Sequence, residues 1–177
     1  MASDNFNRAD SALTSPWTNW GAFSAVSVIS NAVGNNTGSN QDCGSYFSTS
    51  TSLSSQVLLT ATGARNGGPA INCSGDDGYL LQNLGGANFT IYKITNGVPV
   101  ASAAAAVPAY AINDVLRLRR SGGDVIASRN GLDIVTLTDS TYTGGSPGIY
   151  VNDQNIRFDD WTDGVALQMG RRIYILP

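Results

Sequence analysis

Histidine and glutamate are both missing from the 177 residues, and lysine occurs once, as Lys93. All thirteen acidic side chains are Asp. Without an imidazole there is no Ser-His-Asp or Cys-His relay. Cysteine is scarce as well. Cys43 and Cys73, even with Asp added, are too few soft ligands for a zinc site. Charged residues make up only 13% of the chain and the net charge is −3. Nucleic-acid binding needs a basic stripe that displaces counterions, and this balance excludes it. No apolar run is long enough to span a bilayer. The start, Met1-Ala2-Ser3-Asp4, shows neither the basic nor the apolar region of a signal peptide. The expectation is a chain made and folded in the cytoplasm, or one that leaves by another route. Gly-Ala-Arg-Asn-Gly-Gly (63–68) lacks the Lys-Ser/Thr of a phosphate loop, and no glycine fingerprint opens a helix. For the two cysteines, cytoplasmic folding predicts free thiols. Release into oxidising surroundings would permit a disulfide.

What the chain has in quantity is Ser, Thr, Asn and Gly, 69 of 177 residues. That suits a turn-rich β protein with a hydroxyl- and amide-rich exterior. Helical spacing of apolar residues is almost absent. Short β runs between turn clusters recur instead, at 4–7, 20–30, 44–48, 55–62, 78–83, 88–95, 98–104, 114–120, 124–129, 132–138, 147–152 and 155–161. Two packed antiparallel sheets around one core follow from that count and length. Residues 31–42 are the most polar stretch and read as an exposed loop.

Asn96-Gly97 and Asn130-Gly131 are hairpin signals, because Asn-Gly readily takes positive φ. Around Ser121-Gly122-Gly123 the register is argued from burial. A three-residue loop pairs 118 with 126, keeping Leu116, Leu118 and Ile126 on one face. A two-residue loop pairs 119 with 126 and buries an Arg. The three-residue loop is therefore expected. It sends Val125, Ala127, Leu132 and Ile134 to the opposite, unusually apolar face, which reads as a subunit contact.

Several blocks resemble the bacterial and phage branch of the concanavalin-A-like, laminin-G-like β-sandwiches. The opening is Asp4-x-Phe6-Asn7-Arg8-Ala9-Asp10, followed by Trp17 and Trp20. The central blocks are Gly78-Tyr79-Leu80-Leu81, Asn88-Phe89-Thr90-Ile91-Tyr92-Lys93, Asp114-Val115-Leu116-Arg117-Leu118 and Asp139-Ser140-Thr141-Tyr142. Ser146-Pro147-Gly148-Ile149-Tyr150 and Phe158-Asp159-Asp160-Trp161 close it. The resemblance implies an all-β, two-sheet antiparallel jelly-roll sandwich over residues 1–169, with 170–177 as a C-terminal arm or extra edge strand. It also implies that the first and last strands lie side by side. Phe6 and Trp161 then share a core, with Arg8 near Asp159 or Asp160.

The fold serves sugar binding, glycan cleavage and structural packing, so function must come from the site. Related glucanases use a Glu-x-Asp-x-(x)-Glu strand, which a chain without Glu cannot supply. No catalytic residue is assigned, and the chain is read as non-enzymatic. Laminin-G-like modules often hold calcium at the rim, which makes Asp76, Asp77 and Asp153 the calcium candidates. Turn-forming Asp residues that bond their own backbone are the simpler expectation. Tyr110, Tyr142 and Tyr150 stand near loop ends, where an aromatic platform could meet a sugar.

The resemblance to phage structural proteins points to a virion protein, assembled in the host cytoplasm and decorating the capsid. Its expected partners are the major capsid or other virion proteins and further copies of itself, in a symmetric oligomer such as a trimer. Arg171, Arg172, Ile173 and Tyr174 in the tail, with Leu132 and Ile134, are the candidate partner-binding residues. The alternatives are a tail-fibre or receptor-binding module that contacts host polysaccharide, and a bacterial glycan-binding or glycan-cleaving protein.

Overall fold

The computed structural model describes residues 1–21, 23–39, 41–63, 67–83 and 88–164. Among them are sixteen strands and no helix, arranged in two antiparallel sheets. The first sheet runs β14 (Leu132–Thr138), β13 (Asp124–Arg129), β12 (Val115–Ser121), β7 (Ser54–Ala61), β16 (Arg157–Thr162), β5 (Ala32–Gly34), β4 (Ser27–Ile29) and β2 (Ser11–Ala12), with β1 (Ser3–Asp4) also on β16. The second runs β11 (Val98–Ala106), β10 (Asn88–Thr95), β9 (Asp77–Asn83), β8 (Gly68–Ser74), β15 (Ser146–Val151), β6 (Cys43–Phe47) and β3 (Trp17–Asn19).

Strand alternation builds two apolar layers. Along β9, Tyr79 and Leu81 point between the sheets, joining Ile71, Phe89, Ile91, Leu59 and Phe158 in the main core. Leu80 points the other way, joining Trp20, Phe23, Ala70, Cys73, Ile94 and Tyr150 in a smaller cluster on the outer face of the seven-stranded sheet. Trp20 lies flat enough to need that sheet stripped of side chains beneath it. A Cβ on Gly44 would sit 3.1 Å from its ring and one on Gly78 only 2.8 Å away. The indole N–H donates to the Asp77 carbonyl at 3.0 Å, fixing Trp20 over the sheet.

The first and last strands pair as expected, Ser3 with Thr162 and Asp4 with Trp161. Phe6 and Trp161 are both fully buried in the main core. Trp17 sits 4.8 Å from Trp161, and Phe47 stacks on the same ring at 4.9 Å. Arg8 goes elsewhere than expected. It grips Asp4 with two hydrogen bonds of 2.7 and 2.9 Å. The same carboxylate accepts from the Phe6 N–H and the Trp17 indole, so the N-terminal turn organises itself around it.

Both Asn-Gly turns form, with φ of 50° and 76° at Asn96-Gly97 and 53° and 85° at Asn130-Gly131. The Gly122-Gly123 loop is two residues long, not three. Ser121 pairs with Asp124, Leu118 with Ala127 and Arg120 with Val125. Val125 and Ala127 therefore face the core with Leu116 and Leu118, and Ile126 faces outward beside Arg119. The expected outward apolar face does not exist. Ile134 is half-buried against the core, and Leu132 alone of that set stands 73% exposed.

The register that places Arg120 inward works because its head reaches the end of the sandwich. There it donates to the Asp139 carbonyl at 3.2 Å, the Tyr142 carbonyl and the Tyr79 hydroxyl at 3.3 Å. Its stem stays in the apolar layer. Residues 31–42 are likewise not simply a loop. Ala32–Gly34 form a strand, Val33 is fully buried, and the Asn35 amide closes the following turn by donating to the Ser39 and Gln41 carbonyls.

Candidate functional site

The outer face of the seven-stranded sheet carries a cavity of about 270 Å³. Strands β9, β10, β11 and β15 supply it, with Phe23, Asp42, Gly97 and Asn152 from the connections between strands. Leu80 from β9, Ile94 from β10 and Pro99 from β11 form an apolar floor. Phe23, Tyr92 and Tyr150 wall it, with Phe23 and Tyr150 edge to face at 5.5 Å. Tyr150 pairs with Gly44 on one side and Gly68 on the other, so neither neighbouring strand crowds its ring with a side chain.

The polar groups at this cavity are Asp42, Gln82 and Asn152. Asp42 Oδ1 accepts the Tyr150 hydroxyl at 2.5 Å and the Asn152 amide nitrogen. Because Asp42 can only accept, that bond sets which way the Asn152 amide is turned. Its oxygen then faces away, buried and without a partner. Gln82 is only 7% exposed, and its amide makes no hydrogen bond to a described residue. Burial, then the bond to the Asp42 carboxylate, hold the Tyr150 hydroxyl protonated far above its ordinary range. Among its described lining residues there is no Lys or Arg. The chemistry on offer is a carboxylate that accepts, the Gln82 amide that both donates and accepts, and aromatic walls.

The tyrosines expected at loop ends separate. Tyr150 is in the wall of this cavity. Tyr110 is core, 4.5 Å from Phe89 ring to ring. Tyr142 belongs to a structural network, packed on Tyr79 and hydrogen-bonded to Thr95 at 2.5 Å. Asp42, Gln82, Tyr92 and Phe23 were not singled out from sequence as sugar contacts. The signal available was Leu80-x-Gln82 on the outward face of a strand whose inward face is Tyr79 and Leu81.

The calcium candidates are not assembled for a metal. Among the described residues no group of three or more Cys or Asp side chains converges. Asp77 accepts the Asn96 N–H at 2.8 Å and Asp153 accepts the Asn155 N–H at 2.7 Å, as turn residues do. The donor set does not fit a cation that wants six to eight oxygens. Cys43 and Cys73 are both free and buried. Arg171, Arg172, Ile173 and Tyr174 lie outside the described residues.

No protein-family model matches the chain, and no curated protein matches it in sequence. Solved structures do match in shape. A carbohydrate-binding module of Bacillus subtilis, CBM66, superimposes with a TM-score of 0.61 at 17% identity, covering 83% of this chain and 94% of that one. A Bacillus subtilis protein of unknown function with a galectin-like fold gives 0.63 at 13% identity, over 91% and 93%. A Bacillus licheniformis β-glucanase gives 0.56 at 14% identity, over 90% and 95%. The fold is the concanavalin-A-like jelly roll. This jelly roll is shared by binding modules and glucanases alike, so the choice between them falls to the residues at the site. Glycosidases commonly work with two carboxyl groups about 5–9.5 Å apart. In this jelly roll the cavity has a single carboxylate, Asp42, among its described lining residues.

Proposed function

We propose that the chain is a non-enzymatic, lectin-like module that binds a neutral glycan in the cavity on the outer face of the seven-stranded sheet. One observation carries this reading. Phe23, Tyr92 and Tyr150 wall a cavity whose polar lining is Asp42, Gln82 and Asn152, and the Gln82 amide makes no hydrogen bond to a described residue. An amide in the lining with no protein partner among the described residues is available to hydroxyls brought from outside, as both donor and acceptor. The aromatic walls suit a sugar ring, and the Asp42 carboxylate, with no cation among the described lining residues, disfavours acidic sugars.

Calorimetry with neutral gluco-, galacto- and fructo-oligosaccharides, beside sialylated and uronate-bearing ones, tests this. Binding is expected for a neutral class only. Gln82→Leu is expected to weaken it at least about tenfold while leaving the melting point level, because the amide bonds to no described residue. A Gln82→Leu protein that binds normally but melts lower makes Gln82 structural and sinks the reading. Release of reducing ends from any of these glycans would return the chain to the enzymes.

For its setting we propose the surface of a phage particle. The sequence resemblance and the hydroxyl- and amide-rich composition support this. Immunogold label over heads is the expected outcome and marks a decoration protein. Label confined to the tail tip makes it a receptor-binding module, and label on no particle overturns the virion setting.

A further inference from the structure

β11 is the edge of the seven-stranded sheet, and among the described residues nothing pairs with its outer side. It is nine residues long and carries no charge. The other edges differ. β2 has two residues and β3 three, while β14 carries Asp133, engaged by Arg119 at 2.7 Å. Natural edge strands are kept short, charged, bulged or interrupted by proline, because a bare edge is a template for another strand. On β11 those devices are confined to the start, with Pro99 and the irregular pairing opposite Lys93 and Ile94. From Ala101 to Ala106 no side chain is larger than Ser, and Ala101, Ser102, Ala104 and Ala106 are exposed.

We propose that β11 joins two copies of this chain, paired antiparallel about a twofold axis. A second copy is the occupant that the strand itself favours. An antiparallel strand meeting itself matches every donor with an acceptor. Paired strands lie about 4.8 Å apart, and the small side chains of Ala101 to Ala106 leave no bulk beside the joint. With no charge on the strand, two copies of a chain of net charge −3 meet without repulsion at the contact, whereas a charged partner finds nothing there to grip. The axis that makes the strands antiparallel stands normal to the sheet, so both cavities open on one face of a continuous sheet. On the glycan-binding reading above, the dimer is bivalent, which raises avidity for a repeating surface. A lone strand pair buries less than the about 1,600 Å² of a standard interface, so the association is weak.

Sedimentation equilibrium of the full chain without any sugar tests this from about 5 to about 200 μM. The mass is expected to rise from one chain to two. Ser102→Lys combined with Ala104→Lys is expected to weaken association at least about tenfold, with an unchanged urea midpoint showing that the exposed substitutions leave the fold intact. A single-chain mass at the highest concentration overturns the proposal. So does a trimer, or a lysine variant that associates like the parent. Because the readout needs no ligand, a failure to bind glycans leaves this result standing.

Discussion

Arg120 decides more than any other single side chain about how the two sheets close. Its guanidinium reaches the Gly122, Asp139 and Tyr142 carbonyls and the Tyr79 hydroxyl, and it lies 5.5 Å from the centre of the Tyr79 ring. Tyr79 in turn donates to Asp139 at 2.6 Å, and Asp139 holds Lys93 at 3.0 Å. Burial pushes the Asp139 carboxyl up, but bonds from Tyr79, Thr141 and Lys93 outweigh it and leave the group well below the usual carboxylate range. Hydrogen bonds to a charged donor contribute about 1.5–3 kcal/mol, and truncation leaves their buried acceptors bare. Arg120→Ala is therefore expected to lower stability by about 2–4 kcal/mol in urea melts. Arg120→Lys should recover less than half of that, since a point charge cannot reach the Nη2 acceptors and the Gly122 carbonyl on Nη1 together. A loss under about 0.5 kcal/mol would mean that the network is incidental.

The same residue shows where the reading of elements from sequence succeeds and where it stops. Strands with clean alternation and Asn-Gly turns, such as 88–95, 124–129 and 132–138, match β10, β13 and β14 at both ends. β8 escapes notice because Gly68-Pro69 and Asn72 read as turn residues. Pro69 and Ala70 are nevertheless paired inside the sheet, with Asn72 at φ 54° in an irregularity of the ladder. The β12–β13 register was misjudged because a buried Arg was treated as forbidden. Beyond the nearby Gly122 carbonyl, the guanidinium's partners come from residues 79, 139 and 142, which no local pattern links to residue 120. The cavity was half legible for the same reason. Tyr150 stood out, but Asp42, Gln82 and Asn152 converge only when β9 and the loops before β6 and after β15 are brought to one face. Pairing of the first and last strands was legible because the opening and closing blocks carry it.

At the scale of the whole molecule, the missing histidine becomes a statement about stability. With no His and no Glu, and Asp titrating lower, hardly any group changes charge between about pH 6 and 8. The melting point is expected to be flat there. Above that window the buried thiols and phenols take over. Burial, with the Asp42 charge beside it, pushes the Cys43 thiol up to about 11 from 9.0. Burial, then the bond to Asp139, pushes the Tyr79 hydroxyl up to about 12 from 10.0. Burial also holds Tyr110 and Tyr150 protonated. Each of these groups keeps its proton longer in the fold than in the unfolded chain. The stability it contributes is thus whole below its unfolded value and is lost as pH rises through the folded one. Thermal scans should stay level to about pH 8, fall first with thiol ionisation in the unfolded chain, and steepen above about pH 10 with the phenols. Cys43→Ala should remove part of the first fall and Tyr79→Phe part of the second, each leaving the plateau level. A melting point that is still level at about pH 11 would show that neither the thiols nor the phenols are shielded by the two apolar layers.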